Sequence, residues 1–192
     1  MAVPAMYSTT TQEGIDINSV FMLSTGTPEY PRPPFVPGEY ATGTDGSEWV
    51  YCTASITIAA GSVVVVSAVP ASWSVALIGG ATVAAGAPFG QIVGVVGGSQ
   101  GTMVVPAPAA PQTGSFFWVQ TAGNCQNVRT AASTTANAIL YDSATTAGIV
   151  SSTAGGPGTT YQIIGLVISQ AAGSVAGPNT AILSNPIVWT SL

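Results

Sequence analysis

The chain has 192 residues and only nine charged side chains, two basic and seven acidic, with no histidine and no lysine. A typical soluble domain carries about 25% charged residues, against 5% here. Without histidine there is no Ser-His-Asp or Cys-His machinery and no imidazole metal site. Two arginines and a net charge of −5 leave nothing to neutralise a phosphate backbone, so nucleic acid is excluded as a partner.

Composition points to strands. Val, Thr and Ile number 22, 23 and 13, against six Leu and four Glu, so residues that suit a pleated, half-buried surface outweigh good helix formers. With 23 Gly and 14 Pro as punctuation, this predicts an all-β fold, a sandwich or a tulip-like barrel of many short strands.

In chain order, Met1 to Ser8 shows no basic segment and no apolar stretch, so no secretory signal is expected and folding in a cytoplasm is. Residues 1–48 hold seven of the nine charges and read as an extended arm. Five prolines fall between Thr27 and Gly38, which forbids helix and favours extended backbone. The arm's aromatics, Phe21, Tyr30, Phe35 and Tyr40, follow no amphipathic period. Such a segment either lies along another surface and orders there, or is an unordered linker.

From Trp49 the period becomes two, marking residues 49–192 as the β domain. In Trp49 to Ile58, Val50, Cys52, Ala54, Ile56 and Ile58 share one face, while Tyr51, Thr53, Ser55 and Thr57 form an uncharged outer one. Further strands are predicted at Ser62–Val69, Trp73–Ile78, Gln91–Val96, Thr102–Val105, Ser115–Thr121, Gln126–Thr130, Ile139–Tyr141, Gly148–Ser151, Tyr161–Ser169, Thr180–Leu183 and Ile187–Trp189. The low-complexity run Pro106 to Pro111 suggests two halves joined near 106–113. Short helical turns are expected around Ala131 to Ala138.

Neither long apolar stretch, Ala54–Pro70 or Val75–Val96, is an unbroken run of about 20 residues, so no membrane span is expected. Cys52 and Cys125 could pair if close in space, but in a reducing compartment they read as two small buried hydrophobes. Chemistry is hard to find. No serine has a histidine or lysine to activate it, and after Glu48 the only carboxylate is Asp142, where a glycosidase needs two. Asp45-Gly46-Ser47-Glu48 offers two carboxylates but is first a turn. Arg129 and Asp142, the only charges after Glu48, would be tolerable in an interior as an ion pair. No enzyme, no cofactor and no metal are expected.

The stretches Gly43-Thr44-Asp45-Gly46-Ser47-Glu48-Trp49-Val50-Tyr51-Cys52-Thr53-Ala54-Ser55, Phe117 to Gly123 and Leu140 to Gly148, with Ile163 to Ile168 and Pro186 to Val188, resemble the head decoration, or cement, proteins of tailed bacteriophages. The resemblance spans roughly Gly43 to Val188. It implies an all-β protein on the outside of the assembled capsid of a virion, bound to the major capsid protein, commonly as a homotrimer and without catalytic residues. It also gives the arm a role as a clamp, with Phe21, Tyr30, Arg32, Phe35 and Tyr40 as the expected capsid contacts. The alternative is a fibre or adhesin tip that stacks a host glycan on Trp49, Trp73, Trp118 or Trp189.

Overall fold

The computed structural model describes residues 6–8, 21, 33–43, 45–54, 56, 58–67, 73–79, 91–97, 116–143, 145–155 and 161–191. Among them there are eleven strands and no helix, so the protein is all-β. The strands are β1 (Met6–Ser8), β2 (Tyr40–Gly43), β3 (Glu48–Ala54), β4 (Val63–Ser67), β5 (Ser74–Leu77), β6 (Ile92–Val96), β7 (Phe116–Thr130), β8 (Leu140–Asp142), β9 (Val150–Ser151), β10 (Tyr161–Ile168) and β11 (Gly177–Ser191).

Pairing closes nine of these strands into two circuits that share β7 and are also joined by a β6–β11 contact, while β1 pairs β2 and β2 extends the sheet from β3. In the first, β3 pairs β5, β5 pairs β4, β4 pairs β6, and β6 and β3 both pair the N-terminal part of β7. In the second, the C-terminal part of β7 pairs β11 and β9, and β10 and β8 complete the ring. Closure satisfies backbone groups that an open sheet would leave at its edges. All pairs are antiparallel except β3 with β5 and β7 with β9.

Each circuit has its own core, and β4 and β6 serve both. Val64, Val66 and Val96 point into the first core with Val50, Cys52, Phe117 and Val119. Val63, Val65, Val93 and Val95 point the other way, into the core of Cys125, Val128, Leu140, Val150, Leu166, Leu183 and Val188. A strand buried on both faces needs no polar alternation, which is why Val63-Val64-Val65-Val66 is a continuous apolar run. Gly94 faces the first core because a Cβ there would stand 2.3 Å from the Val119 side chain.

Several expectations are corrected. The predicted strands Ser115–Thr121 and Gln126–Thr130 are one strand, β7, and Thr180–Leu183 and Ile187–Trp189 are likewise one, β11. The apparent breaks are irregularities within strands rather than turns. Gly123 has φ +92° and lies against the Ser47 backbone, and Asn185 has φ +45° beside the Gly165 bulge of β10. The change from the first core to the second therefore occurs inside β7. The proposed junction at 106–113 and the strand Thr102–Val105 lie outside the described residues. Ala131 to Ala138 forms turns, with Ser133 and Asn137 in left-handed conformation.

Folded structure also reaches back into the stretch assigned to the arm. The β2–β3 hairpin turns at Asp45-Gly46, where the Asp45 carboxylate accepts hydrogen bonds from the Ser47 N–H (3.0 Å) and Oγ (2.6 Å). The supposed polar face of β3 is covered: Tyr51 is buried with Trp49, Trp118 and Ala41, and Phe35 and Phe116 pack against them.

Candidate interaction surfaces

Among the described residues no group of three or more Cys, Asp or Glu gathers to hold a metal ion, and no helix is long and apolar enough to cross a membrane. Cys52 and Cys125 are free thiols buried in different cores. Burial raises both, Cys125 to about 12 against an opposing hydrogen bond from the Asn127 backbone.

The expected Arg129–Asp142 pair is not what holds the aspartate. Asp142 is buried at the end of β8, and its carboxylate accepts from the Tyr161 N–H. Arg129 sits half-buried in β7, opposite Pro178 of β11. A backbone donor replaces the guanidinium because β8 is tied to the start of β10, where that N–H is at hand. Asp142 Oδ2 is left buried without a hydrogen-bond partner. Desolvation raises the pKa of the carboxyl, with hydrogen bonds from the Tyr161 and Asp142 backbone opposing. A folded-state pKa above the unfolded one means stability is greatest where the group is neutral in both states, below about pH 4. It then falls as pH rises from the unfolded toward the folded value. Asp142→Asn is expected to raise the melting temperature by a few degrees at pH 7, with the gain shrinking to nothing in melts below about pH 4.

The arm residues fare differently from one another. Phe35 is committed to the protein's own body, its ring 5.1 Å from Trp118 and 5.4 Å from Tyr51, both edge-on. Phe21 bridges Phe116 through two backbone hydrogen bonds of 2.8 Å. Tyr40 is half-exposed on β2 and meets Trp73 edge-on at 5.9 Å. Tyr30 and Arg32 lie outside the described residues. Between Phe35 and β2 a tight turn, with Gly38 at φ +94°, leaves Val36 69% exposed. Val36 and Tyr40 are thus exposed where the arm enters β2, while Asp45 and Glu48 lie at the other end of the β2–β3 hairpin.

Of the four tryptophans, Trp49 and Trp118 are 1% exposed and Trp73 is half-buried. Only Trp189 is open, and it belongs to a surface that sequence reasoning missed. Along the β10–β11 ribbon, Ile163, Leu166, Ile168, Ala181, Leu183 and Val188 face the second core. Their alternates Ile164, Val167, Ile182 and Trp189 are 36%, 39%, 49% and 57% exposed, and Val167 stands directly opposite Ile182 in the register. The alternation of apolar with apolar along Tyr161–Ile168 was the available signal, since a strand with a solvated face should carry polar residues at every second place. Compared with known proteins, the chain matches no family model and no curated protein sequence.

Proposed function

We propose that the protein is a structural component of a virion, a non-enzymatic capsid decoration protein that binds the outside of an assembled phage head and stabilises it. The observation that carries this reading is the character of its exterior. Large apolar side chains remain exposed in two places among the described residues, at Val36 and Tyr40 where the arm enters β2 and at Ile164, Val167, Ile182 and Trp189 on β10–β11. Such a surface suits packing against repeated neighbours more than turnover of a substrate. A shell-binding protein stabilises by mass action, through contacts available only on the assembled shell.

In this reading the end bearing Val36, Tyr40 and the preceding Pro-rich arm faces the major capsid protein, after synthesis in the host cytoplasm. Because β1 pairs β2, Phe21 bridges Phe116 and Phe35 packs against Trp118, these parts of the arm serve the protein's own fold, and the clamp is tested at the remaining expected contacts, with the double variant Tyr30→Ala, Arg32→Ala. Preformed shells lacking the protein, mixed with the parent chain and pelleted, are expected to carry it down and to melt at higher temperature. The double variant is expected to keep the parental circular dichroism but to bind at least tenfold more weakly. Failure of the parent chain to pellet with shells would sink the reading, and undiminished binding by the double variant would sink the clamp. The glycan-binding alternative retains Trp189 as an exposed stacking platform, without Trp49 and Trp118.

A further inference from the structure

We infer that the hollow between the end of β7 and the loop leading into β11 binds a neutral sugar that carries an N-acetyl group. The hollow has a volume of about 230 Å³ and lies between Thr130, the loop 170–176 and the first residues of β11. Thr130 and Asn179, 1% and 9% exposed, are its buried lining, with Gln170, Val175 and Pro178 exposed around them. The loop is tied down by the Ala172 N–H, which donates to the Thr134 carbonyl, and by the Gly173 carbonyl, which accepts from the Ser133 N–H, both at 2.8 Å. Thr130 Oγ1 donates to the Gly177 carbonyl at 3.2 Å and closes the other wall. The hollow is thus formed before any ligand arrives, as small-molecule sites usually are.

Asn179 sets what the ligand must offer. It stands opposite Val128, and along β11 it shares the core-facing side with Ala181 and Leu183, so an amide occupies a place where the alternation calls for an apolar side chain. Its Oδ1 accepts the Thr180 N–H at 2.8 Å, which fixes the orientation of the amide and leaves Nδ2 as a buried donor without an acceptor. A buried donor left unmet is costly, so a ligand carbonyl entering the hollow makes the bond that the fold leaves unmade. Charge narrows the class. No charged side chain lines the hollow, and Arg129 alternates to the other side of β7 from Thr130, its Cγ beside the Gly61 turn. An ionic ligand would therefore lose hydration with no counter-charge to replace it. Size narrows it further, because about 230 Å³ is below the roughly 300 Å³ at which ligand pockets usually begin, which suits one ring and not a length of chain. An acetamido group meets these demands, with its carbonyl on Asn179 and its methyl against Ala172, Val175 and Pro178. Ring hydroxyls suit the exposed Gln170 amide, which favours a sugar over a bare acetylated amine.

The site is independent of the shell and of Trp189, and it is tested on the full chain alone. Isotope-labelled protein titrated with N-acetylglucosamine to tens of millimolar, and followed by two-dimensional NMR, is expected to shift the backbone amide signals of Gly173, Gly177 and Asn179. The Asn179 side-chain amide pair should move most, and the Trp189 indole signal should stay in place. Glucose, with a hydroxyl where the acetamido group stands, is expected to bind at least tenfold more weakly. Gln170→Ala, at an exposed position, should keep the parental spectrum elsewhere and weaken binding several-fold, and Asn179→Ala should abolish it. If Asn179→Ala fails to fold, the response of the side-chain amide in the parent decides. A parent that does not respond, or responds only at the Trp189 indole, contradicts the inference. Equal binding of glucose would overturn the part given to the acetamido group, and N-methylacetamide binding as tightly as the sugar would overturn the choice of a sugar. Sugar binding by a chain that does not pellet with shells would leave this inference standing and overturn the proposed function.

Discussion

Gly61→Ala is expected to cost about 4 kcal/mol, combining backbone strain with overpacking, and to lower the melting temperature by about 10 °C or more. Gly61 opens the turn into β4 with φ +73°, and a Cβ added there would stand 2.0 Å from the Asn127 carbonyl oxygen of β7. The turn cannot retreat, because the Gly61 N–H donates to the Val96 carbonyl at 2.7 Å and its own carbonyl accepts from the Arg129 N–H at 2.9 Å. It is thus held between β6 and β7 at the point where the two circuits meet. Gly46 provides the comparison. It has φ +80° but open space around its Cβ position, so Gly46→Ala should cost only about 1 kcal/mol for the left-handed backbone. Urea unfolding of both variants separates the two contributions. Equal losses would mean that crowding against β7 contributes nothing.

Trp118→Ala is expected to cost about 3–5 kcal/mol, as for other large buried aromatics. Trp118 lies on the outside of the first circuit, buried by Tyr51 at 5.0 Å and Phe35 at 5.1 Å. Its loss leaves Phe35 without a seat. The structural consequence extends beyond the cavity, since Phe35 leads through the Gly38 turn into β2 and ties the arm's end to the body. Phe35→Ala should therefore be smaller alone, and in the Trp118→Ala background smaller still, with a coupling of about 1 kcal/mol between the two rings. The indole N–H is buried without a hydrogen-bond partner, so Trp118→Phe should retain most of the stability. Additive losses in the double variant would show that Phe35 draws its hold from elsewhere.

Fold class was legible in the sequence because it rests on local features, namely β-branched residues, alternation and Gly or Pro punctuation. The strand limits for β4, β5, β6 and β10 were likewise close to those observed. Long-range features were less legible. Gly123 and Asn185 carry the same local signature whether they end a strand or bend it, and only pairing partners on both sides distinguish the two. Tyr51 looked solvent-facing because its cover, Phe35, comes from a segment whose prolines marked it as an arm. Arg129 and Asp142 looked like a pair because they are the only charges in their region, yet a backbone N–H satisfies a carboxylate oxygen without any sequence signature. The exposed face of β10–β11 was hidden by its own regularity, because an apolar strand reads as core whether or not a neighbour covers it.

The near absence of charge belongs to residues 49–192, where Arg129 and Asp142 are the only charges, and much of the described exterior they form is small polar and apolar residues. The central claim is that this exterior meets an assembled shell. Electron cryo-microscopy of purified particles made with and without the protein tests it most directly. The account predicts additional density on the outer surface of the head, at symmetry-related positions, that disappears when the protein is omitted. Particles whose heads are identical in the two preparations, or density confined to a tail fibre, would contradict it.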